Sequence, residues 1–134
     1  MSALKEWLKV CEGYSSKVYK CTADANTIGW GRNLDAKGIS IDEAELMLNN
    51  DIKLCLSQLS KLSWFNKQPQ GVKDALTNMC FNIGITRLLG FKKMIAALDQ
   101  FQYTIAATEA LSSLWAKQVG QRAKDVTVMI REGK

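Results

Sequence analysis

A chain of 134 residues with 47% apolar composition has room for one domain with a hydrophobic core. Its four cysteines form no CxxC pair and it has no histidine, which argues against a structural zinc site, and its net charge of +5 attracts anionic partners without choosing among them. No apolar run reaches the length of a membrane span, and the stretch Met1-Ser2-Ala3-Leu4-Lys5-Glu6 has neither the basic start nor the apolar continuation of a secretion signal.

The spacing of Leu4, Trp7, Leu8 and Cys11 predicts a helix over Ala3 to Glu12, with Gly13 as its stop. From Tyr14 to Asp35 the helical period vanishes. Asp24, Asn26, Gly29, Gly31 and Asn33 punctuate short runs such as Lys17-Val18-Tyr19, which reads as an antiparallel hairpin or three-stranded sheet. Ser40 and Glu43 then form a capping box. It opens a long helix, Ser40 to Leu62, whose stripe is Ile41, Ala44, Leu48, Ile52, Cys55, Leu59 and Leu62. Pro69 precedes a second apolar-periodic segment, Val72 to Ile83, ended by Gly84. Further helices are expected at about Phe91 to Gln100, Thr104 to Leu111 and Val119 to Glu132. Because Cys11, Cys55 and Cys80 fall on apolar stripes, all four cysteines read as reduced thiols made in a cytoplasm.

Chemistry concentrates in the first quarter of the chain. The negative end of a helix dipole favours a protonated carboxyl group, and a protonated acid near a leaving-group oxygen is what glycoside hydrolysis requires; Glu12 stands at that end. Cys21 and Thr27 follow it on the returning hairpin. A thiol of ordinary pKa is a weak base, so two roles are open to Cys21: holding a water together with the Thr27 hydroxyl, or attacking the sugar as a thiolate. Asp24 is a rival for the second carboxylate, although a turn-forming role suits it better. Gly29 and Gly31 allow close approach of the backbone, while Trp30, Phe81 and Trp115 are candidates either for the core or for the walls of a cleft.

Glu12, eight intervening residues, Cys21, five intervening residues, Thr27 and then Ile28-Gly29-Trp30-Gly31 resembles the signature of the phage lysozymes, or endolysins, of glycoside hydrolase family 24. The resemblance continues through Asp42-Glu43-Ala44-Glu45, Asn49-Asn50-Asp51-Ile52, Ala75-Leu76, Asn78-Met79, Phe81, Gly84, Trp115, Gln118 and Arg122-Ala123-Lys124. It implies a lysozyme-like α+β fold, mostly α. In that arrangement a single domain over 1–134 holds a small lobe at about 13–40, a linking helix at about 40–62, and a helical lobe at about 63–134 that includes the N-terminal helix 2–12.

The resemblance further implies catalysis by Glu12, Cys21 and Thr27, substrate contacts from Asn33, Phe81 and Trp115, and support from Arg122, Arg32 and Asp51. Within that support Arg122 pairs with Glu12, and Arg32 bridges to Asp51. The implied reaction is hydrolysis of the β-1,4 bond between N-acetylmuramic acid and N-acetylglucosamine in peptidoglycan, with no cofactor and no metal. A monomer stored in the host cytoplasm, reaching the periplasm through a holin and binding neither nucleic acid nor membrane, is the expected setting. A lytic transglycosylase, which needs only Glu12, and an inactive wall-binding domain are the alternatives.

Overall fold

The computed structural model describes residues 2–134. It divides into two compact units, the first running through Leu46 and the second from Met47 to Lys134.

In the first unit helix α1 (Ser2–Glu12) ends as expected at Gly13 and leads into strands β1 (Ser15–Lys20), β2 (Asn26–Gly29) and β3 (Arg32–Asn33). They form one antiparallel sheet in the order β1-β2-β3. Tyr19 pairs with Thr27 and Lys20 with Asn26, the register then shifts through a bulge, and Ser15 pairs with Gly29; on the other side Thr27 pairs with Asn33 and Ile28 with Arg32. Trp30 leaves the sheet to pack on Tyr14, ring centroids 5.0 Å apart, with the Lys9 ammonium 4.6 Å from its ring. Its place is thus a small aromatic cluster with a cation over its face.

A one-turn helix, α2 (Leu34–Lys37), follows β3 where the sequence pattern predicts none; a single turn is too short to show a period. The Asn33 side chain caps it by accepting from the Ala36 N–H at 3.0 Å. The capping box forms as read from the sequence: Ser40 N–H donates to Glu43 Oε1 at 2.8 Å, and Glu43 N–H donates to the Ser40 hydroxyl at 3.2 Å. It opens α3 (Ile41–Leu59), which stops short of Leu62. Asn66 Nδ2 donates to the Ser60 carbonyl at 2.7 Å, meeting a backbone acceptor that the helix end leaves free.

The second unit is helical throughout its remaining length: α4 (Ser63–Asn66), α5 (Gln70–Ile83), α6 (Ile85–Leu89), α7 (Lys92–Asp99), α8 (Tyr103–Leu111), α9 (Leu114–Val119) and α10 (Gln121–Glu132). The segment from Val119 differs from expectation because Gly120, at φ +61°, separates α9 from α10. Helix α8 packs on α7 and α10, and α5 on α10. Ala106, Ala107, Ala110 and Ala123 are buried there, small residues that let helix axes approach, with Leu76, Met79, Val126 and Ile130 filling the space between.

Gln68 is a buried polar clip in this core. Its Nε2 donates to the Trp64 and Leu98 carbonyls at 2.7 and 2.8 Å, and its Oε1 accepts from the Tyr103 hydroxyl at 2.8 Å. With each of its side-chain polar atoms bonded, burial costs it little. Cys55 and Cys80 are buried as free thiols, as their place on apolar stripes implied, whereas Cys11, read from a like stripe, is exposed. Burial, reinforced by the bonded Cys55 thiol, pushes Cys80 up to about 12, so it is a neutral core residue.

Candidate active site

Glu12 is the last residue of α1, and its carboxylate lies directly over the tight turn that joins β2 to β3. A Cβ placed on Gly31 would stand 2.6 Å from Glu12 Oε2 and 2.9 Å from its Cδ. Only glycine leaves the carboxylate this position, and Gly31 also has φ +77°, which side chains disfavour. The paired glycines flanking Trp30 therefore have a concrete role on the Gly31 side: they bring a strand turn against the acid.

At the other end of β2, the turn Cys21–Ala25 gathers the second and third candidates. Asp24 N–H donates to the Cys21 carbonyl at 2.8 Å and Cys21 N–H donates to the Ala25 carbonyl at 3.0 Å, closing the loop between β1 and β2. Asp24 itself sits at φ +59°, a left-handed conformation that Asp tolerates better than most residues, so it makes the turn. The N–H groups of Ala25 and Ala23 and the Thr27 hydroxyl face the Cys21 thiol and lower its pKa below that of an ordinary thiol.

Lys20, the cation beside Cys21 in sequence, does not produce this effect; backbone N–H groups of the turn supply most of it, as in an anion-binding nest. Thr27 is buried, and its hydroxyl also lies 2.9 Å from the Ala25 carbonyl. A hydroxyl has one proton, so Thr27 serves either that carbonyl or the sulfur, and its lone pairs stay free for a third group. The structure thus joins Cys21 and Thr27 through the Ala25 carbonyl, and places Glu12 on the turn that continues the same strand.

The supporting residues are arranged differently from expectation. Arg32 does not take Asp51 as its partner. Its Nη2 lies 2.6 Å from Glu43 Oε2, its Nη1 donates to Glu43 Oε1 at 2.8 Å and to the Gly38 carbonyl at 3.0 Å. Glu43 stands one turn into α3, close to β3 in sequence, and the capping box has already fixed its side chain, so a two-pronged contact forms at small entropic cost. The guanidinium and the Ser40 N–H hold the Glu43 carboxyl down to about 2. Asp51 instead borders a separate hollow in the second unit with Cys55 and Gln58.

Trp115 is a second correction. It is buried at 2% exposure, its Nε1–H donates to Asn82 Oδ1 at 2.8 Å, and Phe91 meets it edge-on at 6.2 Å, so it is a core residue and not a cleft wall. Asn33 spends its side-chain oxygen on the α2 cap. Phe81 is 41% exposed and, with Leu48, Ile52, Thr77, Asn78 and Arg122, lines an open depression of about 400 Å³ in the second unit. There Arg122 Nε donates to Asn78 Oδ1 at 2.8 Å, which fixes the plane of the guanidinium. Asn78 was visible in the sequence only as part of a motif; its hold on Arg122 needs two helices 44 residues apart and leaves no local signal.

Comparison with known proteins places the chain in a family. The family described as phage lysozyme matches residues 9–131. Two proteins of Dictyostelium discoideum named "Probable T4-type lysozyme 1" and "Probable T4-type lysozyme 2" are each 26% identical to it, over 99% of this chain and 96% of theirs. A helix ending in Glu12 over a glycine turn, a thiol and a hydroxyl gathered at the turn between β1 and β2, and a family match across nearly its whole length identify the chain as a member of the phage lysozyme family of glycoside hydrolases.

Proposed function

We propose that the protein is an N-acetylmuramidase that hydrolyses the β-1,4 bond between N-acetylmuramic acid and N-acetylglucosamine. The observation that carries this reading is the placement of Cys21 and Thr27 on one carbonyl, that of Ala25, in a turn whose N–H groups favour the thiolate, a base beside a hydroxyl able to hold water. Glu12 protonates the glycosidic oxygen as the bond breaks. Cys21 takes a proton from a water held by Thr27, and that water adds to the anomeric carbon from the opposite face of the ring. A lytic transglycosylase uses an internal hydroxyl of the sugar in place of water and has no need for an ionised residue at Cys21, so the donor nest favours hydrolysis.

The depression bordered by Phe81 and Arg122 suits a sugar ring, with an apolar face for stacking and a cation beside it. The net charge of +5 favours approach to an anionic wall polymer. In this reading the enzyme is a monomer made in a host cytoplasm and released to the wall through a holin, in the service of host-cell lysis.

The test is product analysis on purified peptidoglycan with the wild type and with Glu12→Gln, which keeps shape and removes the transferable proton. Reducing-end muropeptides from the wild type, with a loss of at least about a hundredfold in Glu12→Gln, are expected. Anhydro products would establish the transglycosylase instead, and a Glu12→Gln enzyme of comparable rate would remove Glu12 from the mechanism.

A further inference from the structure

The peptide group between Ala25 and Asn26 is gripped at both ends. Its N–H, that of Asn26, donates to Asp35 Oδ2 at 2.8 Å, and the Asn26 side chain adds a second bond, Nδ2 to Asp35 Oδ1 at 3.1 Å. Its carbonyl, that of Ala25, accepts from the Cys21 N–H at 3.0 Å and from the Thr27 hydroxyl at 2.9 Å. A peptide group is planar, so whatever fixes the direction of its N–H also fixes the direction of its C=O. Asp35 is itself fixed, in the first turn of α2, by the Asn33 cap.

We propose that Asp35 is a positioning residue for the reaction: by holding the Ala25–Asn26 peptide it aims the Ala25 carbonyl, and through it sets the placement of both Cys21 and Thr27. The proposal rests on the reading that Cys21 and Thr27 act on the substrate. A carboxylate on the N–H also polarises the peptide and makes its carbonyl a better acceptor, which holds the Thr27 hydroxyl in one orientation. The Asn26 bonds, with the nearby Lys20 charge, keep the Asp35 carboxyl below the usual carboxylate range, so it remains the acceptor this role requires. Asp35 thus connects α2 to the turn that carries Cys21 and Thr27.

The experiment compares Asp35→Ala and Asp35→Asn with the wild type in the full chain. Two quantities are read: kcat and KM on purified peptidoglycan, and the pH midpoint of iodoacetamide alkylation at Cys21, followed by mass spectrometry of its own peptide so that Cys11 does not interfere. A misplacement of a fraction of an ångström predicts a fall in kcat of about tenfold for Asp35→Ala with KM nearly unchanged, and a Cys21 midpoint displaced from that of the wild type. Asp35→Asn, which still offers one oxygen to the Asn26 N–H, restores most of both.

A folded Asp35→Ala enzyme with unchanged kcat and unchanged midpoint overturns the positioning role, as does a fall in kcat with the midpoint unmoved. A moved midpoint with unchanged kcat overturns instead the catalytic reading of Cys21 and Thr27, and Asp35's part in the reaction with it. If Asp35→Ala does not fold, an acid titration by NMR in a Glu12→Gln background decides the matter. The Asn26 amide should shift as Asp35 protonates, and Cys21 and Thr27 should shift with it; resonances of Cys21 and Thr27 that stay still overturn the proposal.

Discussion

Adding one methyl group at Gly31 should separate two effects that usually arrive together. The Cβ of Gly31→Ala would meet Glu12 Oε2 at 2.6 Å, whereas ordinary contact begins at 3.4 Å, so the carboxylate must retreat by roughly 0.8 Å, the difference between the two. The end of a glutamate side chain is flexible, and the retreat itself is cheap. Stability is lost through the backbone instead: holding alanine at φ +77° costs about 1–2 kcal/mol.

Activity is lost through position, since a displacement approaching 1 Å of a catalytic group can cost about a hundredfold. Gly29→Ala is the matched control. Gly29 has φ +67°, and a Cβ added there would find nothing within 4 Å, so the variant incurs the same kind of strain without touching the acid. Thermal unfolding by circular dichroism and initial rates on purified peptidoglycan, taken well below the lower Tm, read the two quantities separately. Both variants should lose comparable stability, and only Gly31→Ala should lose most of its kcat. Equal kcat in the two variants would refute the inference that the Gly31 turn sets the position of the acid.

Three further outcomes are expected. Because Glu43 is held to about 2 when folded against about 4.3 unfolded, its contribution to stability is complete above about pH 4.3 and fades as pH falls toward 2. Glu43→Gln should therefore flatten the fall of Tm over that acid window, and an unchanged slope would mean that the Arg32 pair does not bear on stability. Trp115→Phe should lower stability by about 1–3 kcal/mol, through a lost buried hydrogen bond and a small cavity, with kcat unchanged in the folded enzyme; a selective loss of kcat would return Trp115 to the cleft. Cys21→Asp places a carboxylate in the same donor nest, so activity should persist and the acid limb of the pH and rate profile should move to lower pH, following the base's lower pKa. An acid limb that does not move would show that residue 21 is not the base.

Much of the fold was legible where local rules act alone. The capping box at Ser40 and Glu43, the stop at Gly13, and the Pro69 start and Gly84 end of α5 each involve neighbours in sequence, and each stands as read. Periodicity failed where elements are one or two turns long: α2, α4, α6 and α9 are too short for a stripe to repeat. It also carried α3 on to Leu62 because Leu59 and Leu62 keep the spacing; the break depends on the turn at Ser60 and on Asn66, which caps it from the next helix.

The candidate site divides along the same line. Residue types and spacing alone determined that a carboxylate, a thiol and a hydroxyl belong to one helix and one small sheet, because helix end, hairpin and glycine turn are all local features. Partner choice was left to the tertiary structure. Arg32 has several acids within reach along the chain, and Glu43 wins because the cap has already ordered it. Trp115 is core because Asn82, 33 residues away, meets its indole N–H. The lowered pKa of Cys21 is the clearest case: its main causes are N–H dipoles of the main chain, not the adjoining Lys20, and every residue but proline carries such a dipole, which only a folded turn can aim at one sulfur.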